Sequence, residues 1–144
     1  MDPQDSVAVR HCVCAALRRT DRAITQFYDA ILAKSGVPVT QFTLLATLAS
    51  AGPIAINRFA ELLLMDRTTL TRNLRLLARQ AWVRIEEGED RRTRIVALTT
   101  EGEEALMRAL SLWKQAHAHM LHSLGEQQVD TLHADLAAVV ALSQ

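Results

Sequence analysis

The stretch from Asn57 to Leu98 sets a short apolar helix, a break, a helix studded with Thr and Arg, and an Arg-tipped pair of strands in immediate succession. In Asn57-Arg-Phe-Ala-Glu-Leu-Leu-Leu-Met65 the apolar positions Phe59, Ala60, Leu63 and Leu64 repeat at helical spacing, and Asn57 is placed to cap the first free amides. Asp66 then offers an N-cap for a second helix. Thr68 and Thr69 suit the first turn of that helix better than the interior of one long helix, because β-branched residues lose rotamer freedom there. The second helix is expected from Arg67 to about Gln80. Its Leu70, Leu74 and Leu77 fall at i, i+4 and i+7 and face a core, which turns Thr68, Thr69, Thr71, Arg72 and Arg75 toward solvent.

After this helix, Trp82-Val-Arg-Ile-Glu86 alternates apolar and charged residues, and Thr93-Arg-Ile-Val-Ala-Leu98 is rich in β-branched residues; both predict strands. The polar, Gly-containing segment Glu87-Gly-Glu-Asp-Arg-Arg92 between them predicts a hairpin loop carrying Arg91 and Arg92, with Arg94 just beyond. The order helix, break, helix, hairpin is that of a winged helix-turn-helix, in a mainly α chain whose only β structure is the small wing. Hydroxyls and guanidinium forks on the outer face of the second helix suit phosphate oxygens and base edges in a major groove, and the wing arginines suit a minor groove or the backbone. The candidate DNA-reading set is therefore Asp66, Arg67, Thr68, Thr69, Thr71, Arg72 and Arg75 on the helix, and Arg91, Arg92 and Arg94 on the wing.

A formal net charge of zero over 144 residues would argue against nucleic acid if the charges were mixed evenly. They are segregated. Arg67, Arg72, Arg75, Arg79, Arg84, Arg91, Arg92 and Arg94 outnumber Glu86, Glu87, Glu89 and Asp90, whereas from Thr99 onward acids outnumber Arg108 and Lys114. No long uninterrupted apolar segment or basic leader is present, so neither membrane insertion nor secretion is expected, and a cytoplasmic location follows.

The flanks are helical. Ser6 to Ser35 is expected as one long helix with apolar positions Val9, Val13, Leu17, Ile24, Phe27 and Ile31, ended by Gly36 and Pro38. Thr40 is expected to cap a helix over Gln41 to Ala51. Downstream, Glu101 to about Ser123 carries Leu106, Leu110, Trp113, His117, Met120 and Leu124 as one stripe, and a last helix carries Val129, Leu132, Leu136 and Val139. A single domain over 1–144 is expected, with the winged helix-turn-helix over about 40–98 and flanking helices over about 6–35 and 101–143. One small winged domain cannot bury these stripes alone, so they are expected to dimerise; the competing arrangement is an intrachain bundle. A twofold dimer presents two recognition helices to half-sites about one helical turn apart, hence to a pseudo-palindromic double-stranded operator.

Met65-Asp-Arg-Thr-Thr-Leu-Thr-Arg72, Asp90-Arg-Arg92 and Leu98-Thr-Thr-Glu-Gly102 resemble the MarR family of bacterial transcription regulators, and the resemblance spans nearly the whole chain. It implies the same winged fold and homodimer, and a repressor released from its operator by a small-molecule effector or by thiol oxidation. Ala81 departs from the family, which usually has Gly between the recognition helix and the first wing strand. If that residue is left-handed, Ala costs on the order of 1 kcal/mol relative to Gly.

The residues contain no enzyme constellation: no Gly-rich phosphate loop, no nucleophile elbow, no zinc-protease His pair. No cofactor and no metal are expected. His117 and His119, two apart on a helix, point to opposite sides; His119 and His122 alone make a weak pair; and His117, on the apolar stripe, reads as a packed dimer-face residue. Cys12 and Cys14 on one helix lie about 200° apart and cannot chelate one metal or pair with each other unless that turn unwinds. Two readings of them stay open. Both can be small buried hydrophobes. Alternatively, Cys14-Ala-Ala-Leu-Arg-Arg-Thr-Asp-Arg-Ala-Ile24 is similar to the first helix of the organic-hydroperoxide-sensing branch of the family, which implies Cys14 as the sensing thiol and Tyr28 as a supporting tyrosine. Arg18 and Val39 stand where that branch has further tyrosines. A small aromatic or phenolic effector lodged between the first helices and the winged domain is the other family-style control.

A winged-helix protein-interaction module that never touches DNA is the alternative function. Such a module calls for apolar or aromatic residues where Thr71, Arg72 and Arg91 stand.

Overall fold

The protein is described from a computed structural model covering residues 2–144. In chain order the elements are α1 (Pro3–Arg10), α2 (Val13–Leu32), a 3₁₀ turn (Ala33–Ser35), α3 (Val39–Ala51), β1 (Ile54–Ala55), α4 (Ile56–Leu62), α5 (Arg67–Arg79), β2 (Val83–Glu87), β3 (Arg94–Leu98), α6 (Thr100–Leu124) and α7 (Glu126–Ala141). The fold is a winged helix-turn-helix, with α4 and α5 as the helix pair and β2 and β3 as the wing.

The long first helix is broken. Its expected span, Ser6 to Ser35, divides at His11 and Cys12, and Cys12 is the N-cap of α2 with φ −63° and ψ 123°. His11-Cys-Val-Cys14 is a run of residues with modest helix propensity, which weakens the helix where no tertiary contact restores it. Thr40 does not cap α3. The helix starts at Val39, whose N–H donates to Asp29 Oδ1 of α2 at 2.7 Å. Asn57 does not cap α4 either, since Ala55 holds the N-cap position and Asn57 lies inside the helix.

A two-residue strand accounts for that shift. Ile54 and Ala55 pair antiparallel with Val96 and Ile95, giving a three-stranded sheet of order β1-β3-β2, and this pairing ends at Ala55, the residue immediately before α4. On the other side of β3 the hairpin runs in register from Val83 opposite Leu98 to Glu87 opposite Arg94.

Leu70, Leu74 and Leu77 of α5 are completely buried, together with Phe59 of α4, Leu45 of α3 and Val96 of β3. Burying each such side chain contributes roughly 1.5–3 kcal/mol relative to exposure, so the inner face of α5 is firmly held.

Both helices of the helix-turn-helix pair end on left-handed residues that are not glycine. Leu64 (φ 49°) ends α4, with Met65 N–H donating to Ala60 O at 2.9 Å and Leu64 N–H to Glu61 O at 3.1 Å. Ala81 (φ 60°) ends α5 in the same way, Trp82 N–H reaching Leu77 O at 3.0 Å and Ala81 N–H reaching Ala78 O at 2.9 Å. Ala81 thus takes the left-handed conformation in which Ala is less favourable than Gly. Ala81→Gly should raise the free energy of unfolding by about 0.5–1 kcal/mol, the relief of Cβ crowding outweighing the extra freedom of the unfolded chain. An unchanged or lower urea midpoint would show that Ala81 carries no such strain.

Candidate nucleic-acid interface

Asp66 starts α5 as the sequence predicts. It has extended backbone, and its Oδ2 accepts from Thr69 N–H at 3.1 Å. Its part in the site is to fix where the helix begins, because that carboxylate is engaged along the chain rather than offered outward. One turn on, Asn73 Nδ2 donates to Thr69 O at 3.0 Å. Arg67, Thr68, Thr69, Arg72 and Arg75 are exposed and Thr71 is half-buried, opposite the fully buried leucines.

The ion pairs decide which cations are available. Among the described residues, the pairs are Arg58 with Glu61 (2.9 Å), Arg84 with Glu86 (3.1 Å) and Arg94 with Glu87 (3.5 Å). None of the arginines of α5 is paired, and neither is Arg91 or Arg92. Arg94 lies just beyond the loop at the start of β3, and the register sets it across from Glu87, where the two side chains meet. Arg79, in the last turn of α5, is an exposed and unpaired cation that periodicity alone did not single out.

The wing tip is shaped by its own backbone. Gly88 N–H donates to Thr93 O at 2.8 Å, Thr93 N–H to Asp90 O at 2.8 Å, and Arg92 N–H to Asp90 Oδ1 at 3.0 Å. Asp90 thereby closes an Asx-type turn that leaves the Arg91 and Arg92 side chains in solvent.

The end of α5 is tied to the start of α6. Thr99 Oγ1 donates to Ala81 O at 2.6 Å and accepts from Gly102 N–H at 3.0 Å, while Thr99 N–H donates to Trp82 O at 3.1 Å. One threonine thus caps α6 and holds the last turn of the helix that carries the arginines.

The candidate sensing residues lie apart. Cys14 and Tyr28 are on the same helix, about 21 Å apart along its axis, and one chain does not bring them together. Cys12 and Cys14 are both exposed free thiols in the chain, not buried hydrophobes. Tyr28 packs edge-on against Phe27 (ring centroids 5.5 Å, 87°), and burial pushes its hydroxyl above the ordinary phenol range. His117 stacks on Trp113 (4.9 Å, 8°), which stacks on Phe42 (5.6 Å, 22°), and it also lines the apolar face formed by α2, α6 and α7. His119 lies against Phe27 at 5.5 Å.

Comparison with known proteins agrees with this geometry. The model of the MarR family matches residues 35–93. The transcriptional regulator MosR of M. tuberculosis, solved in complex with DNA, is 34% identical, with 92% of this chain aligned to 98% of that one at a TM-score of 0.82. The chain belongs to the MarR family. Among curated proteins it is 28% identical over 88 residues to the uncharacterized HTH-type transcriptional regulator YwoH of Bacillus subtilis, a match spanning 61% of this chain and 64% of that protein. A mutant MarR from E. coli complexed with operator DNA shares the fold at a TM-score of 0.82 and 22% identity, with 96% of this chain aligned to 99% of that one.

Proposed function

We propose that this MarR-family chain is a sequence-specific DNA-binding transcription regulator, acting in the cytoplasm as a homodimeric repressor on a pseudo-palindromic operator. The observation that carries the reading is the set of unpaired arginines on the outer face of α5 and at the wing tip, on a surface whose other arginines are already matched to carboxylates. Unpaired guanidinium groups around exposed threonine hydroxyls are complementary to phosphate and to guanine edges. In this reading α5 enters the major groove with Arg67, Thr68, Thr69, Thr71, Arg72 and Arg75, Asp66 fixes its start, and Arg91 and Arg92 follow the backbone or the minor groove.

Apolar surface on the terminal helices supports the dimer. Ile24, Leu124 and Leu132 are 38–45% exposed around a face formed by α2, α6 and α7, Val139 of α7 is 37% exposed, and Val7 and Val9 of α1 are more than half exposed. Apolar residues concentrated on the terminal helices call for a partner, and a second copy supplies the twofold symmetry that two half-sites need.

The Thr99 link offers a route for control. Any displacement of α6 is passed to the end of α5 through the hydroxyl that joins them. A cleft of about 260 Å³ between α2 and α3, walled by Thr25, Tyr28, Val39, Thr40 and Thr43, has room for a small aromatic or phenolic effector, with hydroxyls to orient it. A ligand that favours one spacing of the two recognition helices over another shifts the dimer between DNA-competent and DNA-incompetent forms.

The wing tests the reading directly. Replacing Arg91 and Arg92 together by alanine should lower the slope of log affinity against log salt by about one to two, with the dimer intact by sedimentation. Identical slopes for variant and wild type would take the wing off the DNA.

A further inference from the structure

We infer that Asp29 is a positioning residue: its carboxylate, on α2, fixes the angle at which the winged domain leaves the terminal helices, and with it the spacing of the two recognition helices on DNA. Pro38 stands at the N-cap of α3 and has no side-chain acceptor, so that helix begins without a cap of its own. The cap comes from another helix. Asp29 Oδ1, ten residues earlier, accepts from Val39 N–H at 2.7 Å and brings a carboxylate to the N-terminal end of α3, where the helix dipole favours it. Among the described residues this is the one hydrogen bond that crosses from α2 to α3. The start of α3 is thereby set by where α2 stands.

The turn between the two helices is braced separately. Ser35 Oγ donates to Leu32 O at 2.6 Å and accepts from Val37 N–H at 3.1 Å, and Gly36, at φ 71°, closes the 3₁₀ turn with its N–H on Ala33 O at 3.1 Å. These bonds stop at Val37, so they hold the turn but not the direction of the helix that follows Pro38. That direction is 76° from the axis of α2 and its 3₁₀ turn. Asp29 has no ion-pair partner among the described residues, so an uncharged acceptor of the same length can replace it without leaving a cation unmatched.

The rest of the winged domain turns with α3, because Leu45 and Leu48 of α3 share one buried core with Leu70, Leu74 and Leu77 of α5. The 13 residues of α3 span about 20 Å, so a turn of about 5° at its start displaces its far end by roughly 1.7 Å. Within the dimeric DNA-binding reading above, on which this consequence rests, the displacements of two copies add. Together they reach about 3.4 Å, the rise of one base pair where a turn of 10–10.5 pairs spans 34–36 Å. A small error at the α2–α3 joint is enough to put the two recognition helices out of step with their half-sites.

The test compares wild type, Asp29→Asn and Asp29→Ala on duplexes that carry the preferred inverted repeat and on duplexes whose spacer is one base pair longer or shorter. Wild type should discriminate against the altered spacers by about tenfold or more. Asp29→Asn, whose side-chain oxygen still accepts from Val39 N–H, should keep that discrimination. Asp29→Ala should lose most of it, with weaker binding to the preferred spacing. If the alanine variant does not fold, Asp29→Glu, which moves the carboxylate by one methylene, should show the same loss. Discrimination that survives Asp29→Ala, or Asp29→Glu in its place, even with lower overall affinity or stability, would reduce Asp29 to an ordinary cap and overturn the proposal. A second measurement needs neither DNA nor the dimer. Nitroxide labels at Arg19→Cys on α2 and Glu89→Cys on the wing, with Cys12→Ser and Cys14→Ser and with labelled chains diluted in unlabelled protein, report the distance across the joint within one chain. That distance should be narrowly distributed in the parent and in Asp29→Asn, and shifted or broadened in Asp29→Ala. An unchanged distribution would overturn the positioning role, whereas a wild type that binds no duplex would mark the failure of the DNA-binding reading and leave the label distances to decide.

Discussion

Gly102→Ala should lower the free energy of unfolding by about 3 kcal/mol or more. A Cβ at this position would overlap the Trp82 carbonyl oxygen and lie 2.8 Å from Leu98 Cδ1. Gly102 is fully buried in the first turn of α6, and its N–H is held by Thr99 Oγ1. The alanine variant must therefore push α6 away from the end of α5 or lose the cap, and either change also breaks the Thr99 bond to Ala81. Urea denaturation of the two proteins checks this. A variant as stable as wild type would mean that the α5–α6 junction is looser than described, and would remove the mechanical link on which control of DNA binding has been argued.

Arg72→Ala should weaken operator binding by about 1–3 kcal/mol, or roughly 5- to 150-fold, without changing stability or oligomeric state. Arg72 lies on the outer face of α5, is exposed, and has no carboxylate partner, so its removal leaves no unpaired charge behind in the folded protein. Titration of wild type and variant against the same duplex at matched salt checks it. Unchanged affinity would take Arg72 out of the reading surface.

The parts of this fold that could be read from the sequence are those set by local information. Asp66 and the Leu70, Leu74, Leu77 stripe fixed α5 because a cap and a helical period are both properties of a few neighbouring residues. The wing strands were legible from β-branched residues around a Gly-containing loop. What was not legible depended on partners distant in the chain. Ile54 and Ala55 are a strand only because β3 lies beside them, and that pairing overrides the cap that Asn57 would have made. The strand position of Arg94 is local information, but its ion pair with Glu87 follows from the hairpin register, which no local pattern announces. The Val39 amide is capped from Asp29, ten residues earlier on another helix, which no local pattern announces. The break at Cys12 rests on small propensity differences with neither Gly nor Pro to mark it.

Selection of high-affinity duplexes from a random pool by the purified protein, with the bound DNA sequenced after several rounds, tests the central claim most directly. A homodimeric reader with α5 in the major groove predicts convergence on an inverted repeat whose half-sites are centred about 10–10.5 base pairs apart, or a multiple of that spacing. A pool that stays random while the protein is folded would contradict sequence-specific DNA binding and turn the arginine surface toward another partner.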